Sequence, residues 1–194
     1  QSRFGAEMDS LADIVNFGVV PGMVLYAYTL RDAGSAGWIA ALLFSATCAL
    51  RLARFNTMLD GPKRPEWQSA FFTGVPAPAG AGLALFPMYL SFMGVDLGRP
   101  VLTAGLSAAY LLLVGFLMAS RIPTWSGKTI GVSLRREMVI PVMLGLVLYV
   151  VLLTSFLWHT LTATVIAYFI AMIFSVRQYR RLARQDAEAG TAGV

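Results

Sequence analysis

The chain has 194 residues, 57% of them hydrophobic and 13% charged, with a mean hydropathy of +0.68. Soluble domains carry roughly a quarter charged residues, so this composition excludes an ordinary water-soluble globule. The formal net charge of +5 then reports membrane orientation and not a nucleic-acid partner.

Apolar runs such as AAYLLLVGFLMA and VIPVMLGLVLYVVLLTSFLW are far longer than the ~10-residue alternating strands of a membrane β-barrel. The fold class is therefore all-α: a polytopic membrane helix bundle. Six spans are predicted in chain order, at about 4–30, 37–55, 75–95, 100–120, 138–158 and 160–176, each near the ~20 residues that cross a bilayer core. The first is longer than a crossing needs, so its front end projects into the aqueous interface. Between the spans, RDAGSAG and GVDLGR read as short turns. The spans make 1–176 one transmembrane domain, followed at 177–194 by a basic tail that fades into small polar residues and partial disorder.

Six alternating spans sort the 15 Lys and Arg residues very unevenly. Arg31 and Arg99 fall on one side; all the others, from Arg3 through Arg51, Arg54, Lys63, Arg64, Arg121, Lys128, Arg135 and Arg136 to Arg177, Arg180, Arg181 and Arg184, fall on the other. The positive-inside rule assigns that basic side to the cytoplasm. The start of the first helix, the 56–73 and 121–137 connections and the tail then all face the cytoplasm. Arginines in the tail sit where anionic headgroups attract them. Cys48 is the only cysteine; it provides no disulfide framework or thiolate metal site and reads as a small buried hydrophobe.

Acidic residues at the edge of a membrane helix are costly and mark sites. Gly5, Asp9 and Asp13 recur every four residues. Each such step advances a helix by about 400° and ~6 Å, so the three form one slowly drifting stripe. Two carboxylates so placed can share a divalent cation, and Gly5 leaves room for another helix or a ligand. They can equally be solvated groups complementing a helix N-terminus. Glu7 lies on another face and reads as interfacial. Arg51 and Arg54, at the end of the second span, either snorkel to the interface or bind a phosphate or carboxylate with their forked guanidinium groups; Asn56 can hydrogen bond a polar substrate group beside them. Lys128, Arg135 and Arg136 read as ordinary positive-inside charges, and the SGK turn at 126–128 lacks the glycine spacing of a P-loop. GVPAPAGAG supplies small residues for close helix contact. Trp125, Tyr149 and Trp158 read as interfacial or packing aromatics. His159 falls at the outer end, away from the acids.

The stretch GAEMDSLAD fits G-x3-D-x3-D, the second half of the signature D-x2-D-G-x2-A-R-x8-G-x3-D-x3-D. With SRFGAEMDSLADIVNFGVVP, CALRLARFN, FFTGVPAPAGA and SRIPTWSGK in that order, the chain resembles the CDP-alcohol phosphatidyltransferases, and within them the bacterial integral-membrane phosphatidylserine synthases. The resemblance implies that the first half of the signature and about two more helices lie upstream of Gln1, for about eight helices in all. It implies too that the chain alone is inactive. It further implies transfer of the phosphatidyl group of CDP-diacylglycerol to L-serine, with a Mg2+ or Mn2+ cofactor held by Asp9 and Asp13 and with Asp13 as base. Ser2 and Gly5 would lie at the CDP moiety, and Arg51, Arg54 and Asn56 at other substrate groups. The expected partners are these two substrates, membrane lipid and a second copy in a homodimer, without nucleic acid. The expected location is the inner membrane, with the site facing the cytoplasm. Glycerol 3-phosphate, inositol or choline as acceptor, a small transporter relaying ions through its acids, and a non-catalytic scaffold are the alternatives.

Overall fold

A computed structural model describes residues 3–59, 67, 70–95, 98–125 and 136–191. They form eight α-helices and a two-stranded ribbon. In order these are α1 (Arg3–Ile14), a π-helical turn (Val15–Val19), α2 (Val20–Tyr28), a 3-10 turn (Leu30–Ala33), α3 (Ser35–Leu59), β1 (Phe71–Thr73), α4 (Ala77–Ala84), α5 (Phe86–Phe92), α6 (Pro100–Ala119), β2 (Pro123–Trp125), α7 (Arg136–Ser155) and α8 (Leu157–Thr191). Among the described residues, five stretches are long and apolar enough to cross a membrane: Glu7–Tyr28, Ser35–Met58, Pro100–Ala119, Met138–Ser155 and Leu157–Asp186. The all-α polytopic bundle foreseen from composition is the observed class.

Prolines account for two departures from uniform helices. The first span is one continuous rod except at Val15–Val19, where the Val20 N–H bonds to Val15 O, five residues back. Pro21 lies in the first turn of α2. A proline has no N–H and its ring crowds the carbonyl four residues earlier, and widening the preceding turn accommodates both. The predicted third span is two short helices. Leu85, at φ −81° and ψ 1°, separates α4 from α5, and Pro87 stands in the first turn of α5, where it cannot donate to the carbonyl a turn back. Together Ala77–Phe92 reach only ~24 Å at 1.5 Å per residue, short of a ~30 Å hydrocarbon core. Pro141, by contrast, lies inside α7 without ending it.

The chain packs as two compact units. In the first, Gln1–Pro62 with Gly74–Arg121, α3 is the central helix, lying along both α6 and the α1–α2 rod. Phe44, Cys48, Leu25, Leu111, Val114 and Met118 are buried there. Small residues set the approach. A Cβ on Gly18 would lie 2.9 Å from Cys48 Cβ, one on Gly22 3.2 Å from Ala41 O, and one on Gly115 2.8 Å from Thr47 Oγ1. Gly18 and Gly22, four apart, make a small-residue seam of the kind that lets membrane helices touch backbone to side chain. Within GVPAPAGAG, Gly80 packs on Met118, as the sequence predicts; Gly74, at φ +79°, instead turns the chain into α4 against the Met118 and Ser120 carbonyls.

The second unit comprises Lys63–Thr73 and Ile122–Val194. Here β1 and β2 pair antiparallel, Phe71 opposite Trp125, a ribbon that the sequence does not announce. It packs on α8. That helix continues from its apolar half through Thr191 without a break at 176. Large apolar side chains along α7, among them Ile140, Leu144 and Leu148, are exposed, as suits a lipid-facing helix.

Candidate active site

The acidic stripe lies wholly on α1, which stays α-helical from Arg3 to Ile14, so the four-residue periodicity of Gly5, Asp9 and Asp13 holds. The π turn begins immediately after it. Gly5 and Asp9 are exposed and Asp13 is half-buried. Asp13 on α1 and Arg51 on α3 both lie within electrostatic reach of the Cys48 thiol. Cys48 itself is fully buried.

A second tie joins α1 to α3. Asn56 Nδ2 donates to Ser10 Oγ at 2.9 Å, and Ser10 directly follows Asp9. Higher on the rod, Ser45 Oγ donates to Gly18 O at 3.2 Å and to Ala41 O at 3.0 Å. The acidic helix is therefore fixed against α3 between the two carboxylates, at Ser10, and beyond them, at Gly18. Arg54 points to the other neighbour of α3. Its Nη1 donates to Ala119 O at 2.6 Å, satisfying a carbonyl in the last turn of α6, where the helix leaves such groups without intrahelical partners and the dipole favours a cation.

Of the residues singled out from sequence, Asp13, Arg51 and Asn56 are brought together along the α1–α3 contact, with Asp9 and Gly5 continuing the exposed face of α1. Arg54 is turned toward α6. Ser2 lies outside the described residues, as do Lys128 and Arg135; the side chain of Arg136 is likewise not described. Sequence reasoning missed Ser10 and the Ala119 carbonyl, both reached across the fold. It also missed the seam at Gly18, for which the G-x3-G spacing and the following Pro21 were the available signals.

Two carboxylates are hard oxygen donors of the type that holds Mg2+ or Mn2+. Among the described residues, no group of three or more His, Cys, Asp or Glu side chains gathers in one place. Asp9 and Asp13 therefore fit as part of a cation site that needs further oxygen ligands.

A family model described as CDP-alcohol phosphatidyltransferase matches residues 1–122. The chain belongs to that family. The match covers Asp9, Asp13, Arg51, Arg54 and Asn56 and ends beside Arg121, where the first compact unit ends. The CDP-diacylglycerol–serine O-phosphatidyltransferase of Mycobacterium leprae is 37% identical over 186 residues, covering 94% of this chain and 59% of the relative. Proteins of the same name from Helicobacter pylori (strain 26695) and Bacillus subtilis are 33% and 36% identical over 146 and 121 residues, covering 75% and 62% of this chain and 59% and 58% of the relatives. The chain thus spans less than two thirds of the length of these relatives.

Proposed function

We propose that the protein carrying this chain transfers the phosphatidyl group of CDP-diacylglycerol to L-serine, giving phosphatidylserine and CMP. The observation that carries the reading is the acidic stripe of α1, held against α3 within the residues that match the family, together with the names of the relatives from several genera. In the proposed step the serine hydroxyl oxygen forms a bond to the β-phosphorus, the one bearing the diacylglycerol. The bond from that phosphorus to the bridging oxygen breaks, and CMP leaves with the bridging oxygen and its electron pair.

Asp13 takes the hydroxyl proton as the bond forms. Its half-buried position at the α1–α3 contact suits a base that must be held in one place. Asp9 and Asp13 would hold the divalent cation; when bound, it neutralises diphosphate charge. Gly5 leaves space beside the nucleotide, with Ser2 preceding it. Arg51 and the free edge of the Arg54 guanidinium offer forked donors to phosphate or to the serine carboxylate, and Asn56 holds α1 in place through Ser10 while lying beside the substrate groups.

The site faces the cytoplasm on this reading, in the inner membrane, with 1–176 as the catalytic membrane domain, 177–194 as a basic tail, and two copies associated through their helices. The test is CMP release by the complete gene product in detergent, with serine, glycerol 3-phosphate and inositol offered separately. Serine-dependent release that falls 10²–10⁴-fold in Asp13→Asn, the range typical of losing a general base, supports both substrate and base. Release with another acceptor only would keep the family and overturn the substrate. No release with any acceptor from folded protein would turn the reading toward a transporter or scaffold.

A further inference from the structure

The end of α8 carries four arginines to which the proposed reaction assigns no role. Arg177, Arg180, Arg181 and Arg184 follow its apolar stretch within two to three turns, and all four are exposed. The opposite side of the same helix is gripped by the ribbon and by Trp67. Ser175 Oγ donates to Pro123 O at 3.0 Å, Trp125 Nε1 to Gln178 Oε1 at 2.7 Å, and Trp67 Nε1 to Asp186 Oδ2 at 3.3 Å. The Tyr179 ring packs against both Trp67 and Phe71, with centroids 5.3 Å apart in each pair.

At about 100° per residue, Ser175, Gln178, Tyr179 and Asp186 fall in one arc of about 100°, and the four arginines fall in an arc of similar width centred on the far side. The ribbon therefore fixes the rotation of the helix, and with it the direction of the arginines. The one described acidic side chain of this stretch, Asp186, is engaged on the ribbon side, so the arginine face keeps its charge. The four arginines and Gln185 line an open cleft of about 400 Å³. At its membrane end the Arg177 guanidinium lies 5.9 Å from the centre of the Phe174 ring, a cation–π contact where the apolar half of the helix gives way to the basic half.

We propose that this arginine face is a binding site for the phosphodiester headgroup of an anionic phospholipid in the leaflet from which α8 emerges. Arginines that merely satisfy the positive-inside rule need no common direction; these share one, set by contacts on the opposite face. Guanidinium groups meet phosphate with paired, parallel hydrogen bonds that an ammonium group cannot make. The face lies beyond residues 1–122, which match the family, and shares no residue with the acidic stripe of α1. It depends on α8 spanning the membrane and not on the transfer reaction.

The test places the full protein in phosphatidylcholine nanodiscs with or without phosphatidylglycerol, and counts retained lipids by native mass spectrometry while the phosphatidylglycerol fraction is titrated. Wild type should retain phosphatidylglycerol selectively, and the pair Arg180→Gln with Arg184→Gln should weaken that retention about 30-fold, from the contribution of each basic residue near a charged surface. Replacing all four arginines with lysine keeps every charge and should still weaken retention several-fold. Retention unchanged in the lysine protein would mean a diffuse basic surface and overturn the site, as would unchanged retention in the glutamine pair. Equal displacement by inorganic phosphate would overturn the assignment to lipid. Should the glutamine pair fail to fold, the lysine protein decides alone.

Discussion

The contact between Gly18 and Cys48 yields a quantitative test of how the acidic helix is held. A Cβ at Gly18 would sit 2.9 Å from Cys48 Cβ and 3.2 Å from its Sγ, whereas carbon atoms rest about 3.5–4.0 Å apart. Gly18→Ala therefore drives two helices apart by roughly half an ångström or more, and overpacking of this kind costs about 1–3 kcal/mol. Alanine also gains up to about 1 kcal/mol of helix propensity over glycine, so the single mutant alone is ambiguous. A double-mutant cycle removes the ambiguity, because propensity contributes equally with either partner. Cys48→Gly deletes both clashing atoms and leaves a hole that the new methyl fills. The double mutant should be more stable than additivity predicts by about 1–2 kcal/mol, within the range seen for residues in contact. Reversible unfolding of the purified protein in mixed micelles measures all four corners. Additivity within about 0.5 kcal/mol would refute the proposed seam.

Other expectations follow from the same contacts. Arg54→Ala removes a charge-assisted bond to the Ala119 carbonyl and should cost about 1.5–3 kcal/mol, measured in the same micelles; Arg54→Lys should retain part of that stability and raise the substrate concentration needed for half-maximal CMP release, so unchanged kinetics would remove Arg54 from the site. Asn56→Ala breaks the exposed tie to Ser10, with a stability loss near the low end of about 0.5–1.5 kcal/mol, while CMP release should fall more steeply if that tie positions Asp9; equal small effects on both would make it a packing contact only. Chelation of divalent cations should abolish CMP release, and Mg2+ or Mn2+ should restore it. In Asp9→Asn the concentration needed for restoration should rise, and an unchanged cation requirement would argue against Asp9 as a ligand.

Helices were legible because lipid imposes its own grammar: a chain that must satisfy its backbone bonds internally shows long apolar runs, and α3, α6 and α7 appear close to the predicted boundaries, whereas α8 starts near its predicted position and runs well past 176 to Thr191. The carboxylate stripe was legible for the same reason, since helical periodicity alone puts Gly5, Asp9 and Asp13 on one face. Interruptions were harder to read. Pro21 and Pro87 both stand in the sequence, yet one widens a turn, the other accompanies a break, and Pro141 in α7 does neither. The outcome depends on neighbouring helices that no local pattern reports. The ribbon escaped notice because its two strands are three residues each and lie about fifty residues apart. Arg54 reads as a substrate group from its place in RLARFN, and only the fold brings its guanidinium to the end of α6.

The π turn at Val15–Val19 separates two sets of demands that fall on one rod. Below it, the angular position of each side chain answers to polar chemistry at the water boundary; from Gly18 within the turn up to Gly22, it answers to the close approach to α3. One extra residue in the turn shifts the phase between those halves, so the lower face can be aimed without disturbing the seam. In a straight α-helix each substitution of register would move both together. The turn acts as a mechanical offset, allowing the direction of the acidic stripe and the lipid-embedded packing to be adjusted separately along a single helix.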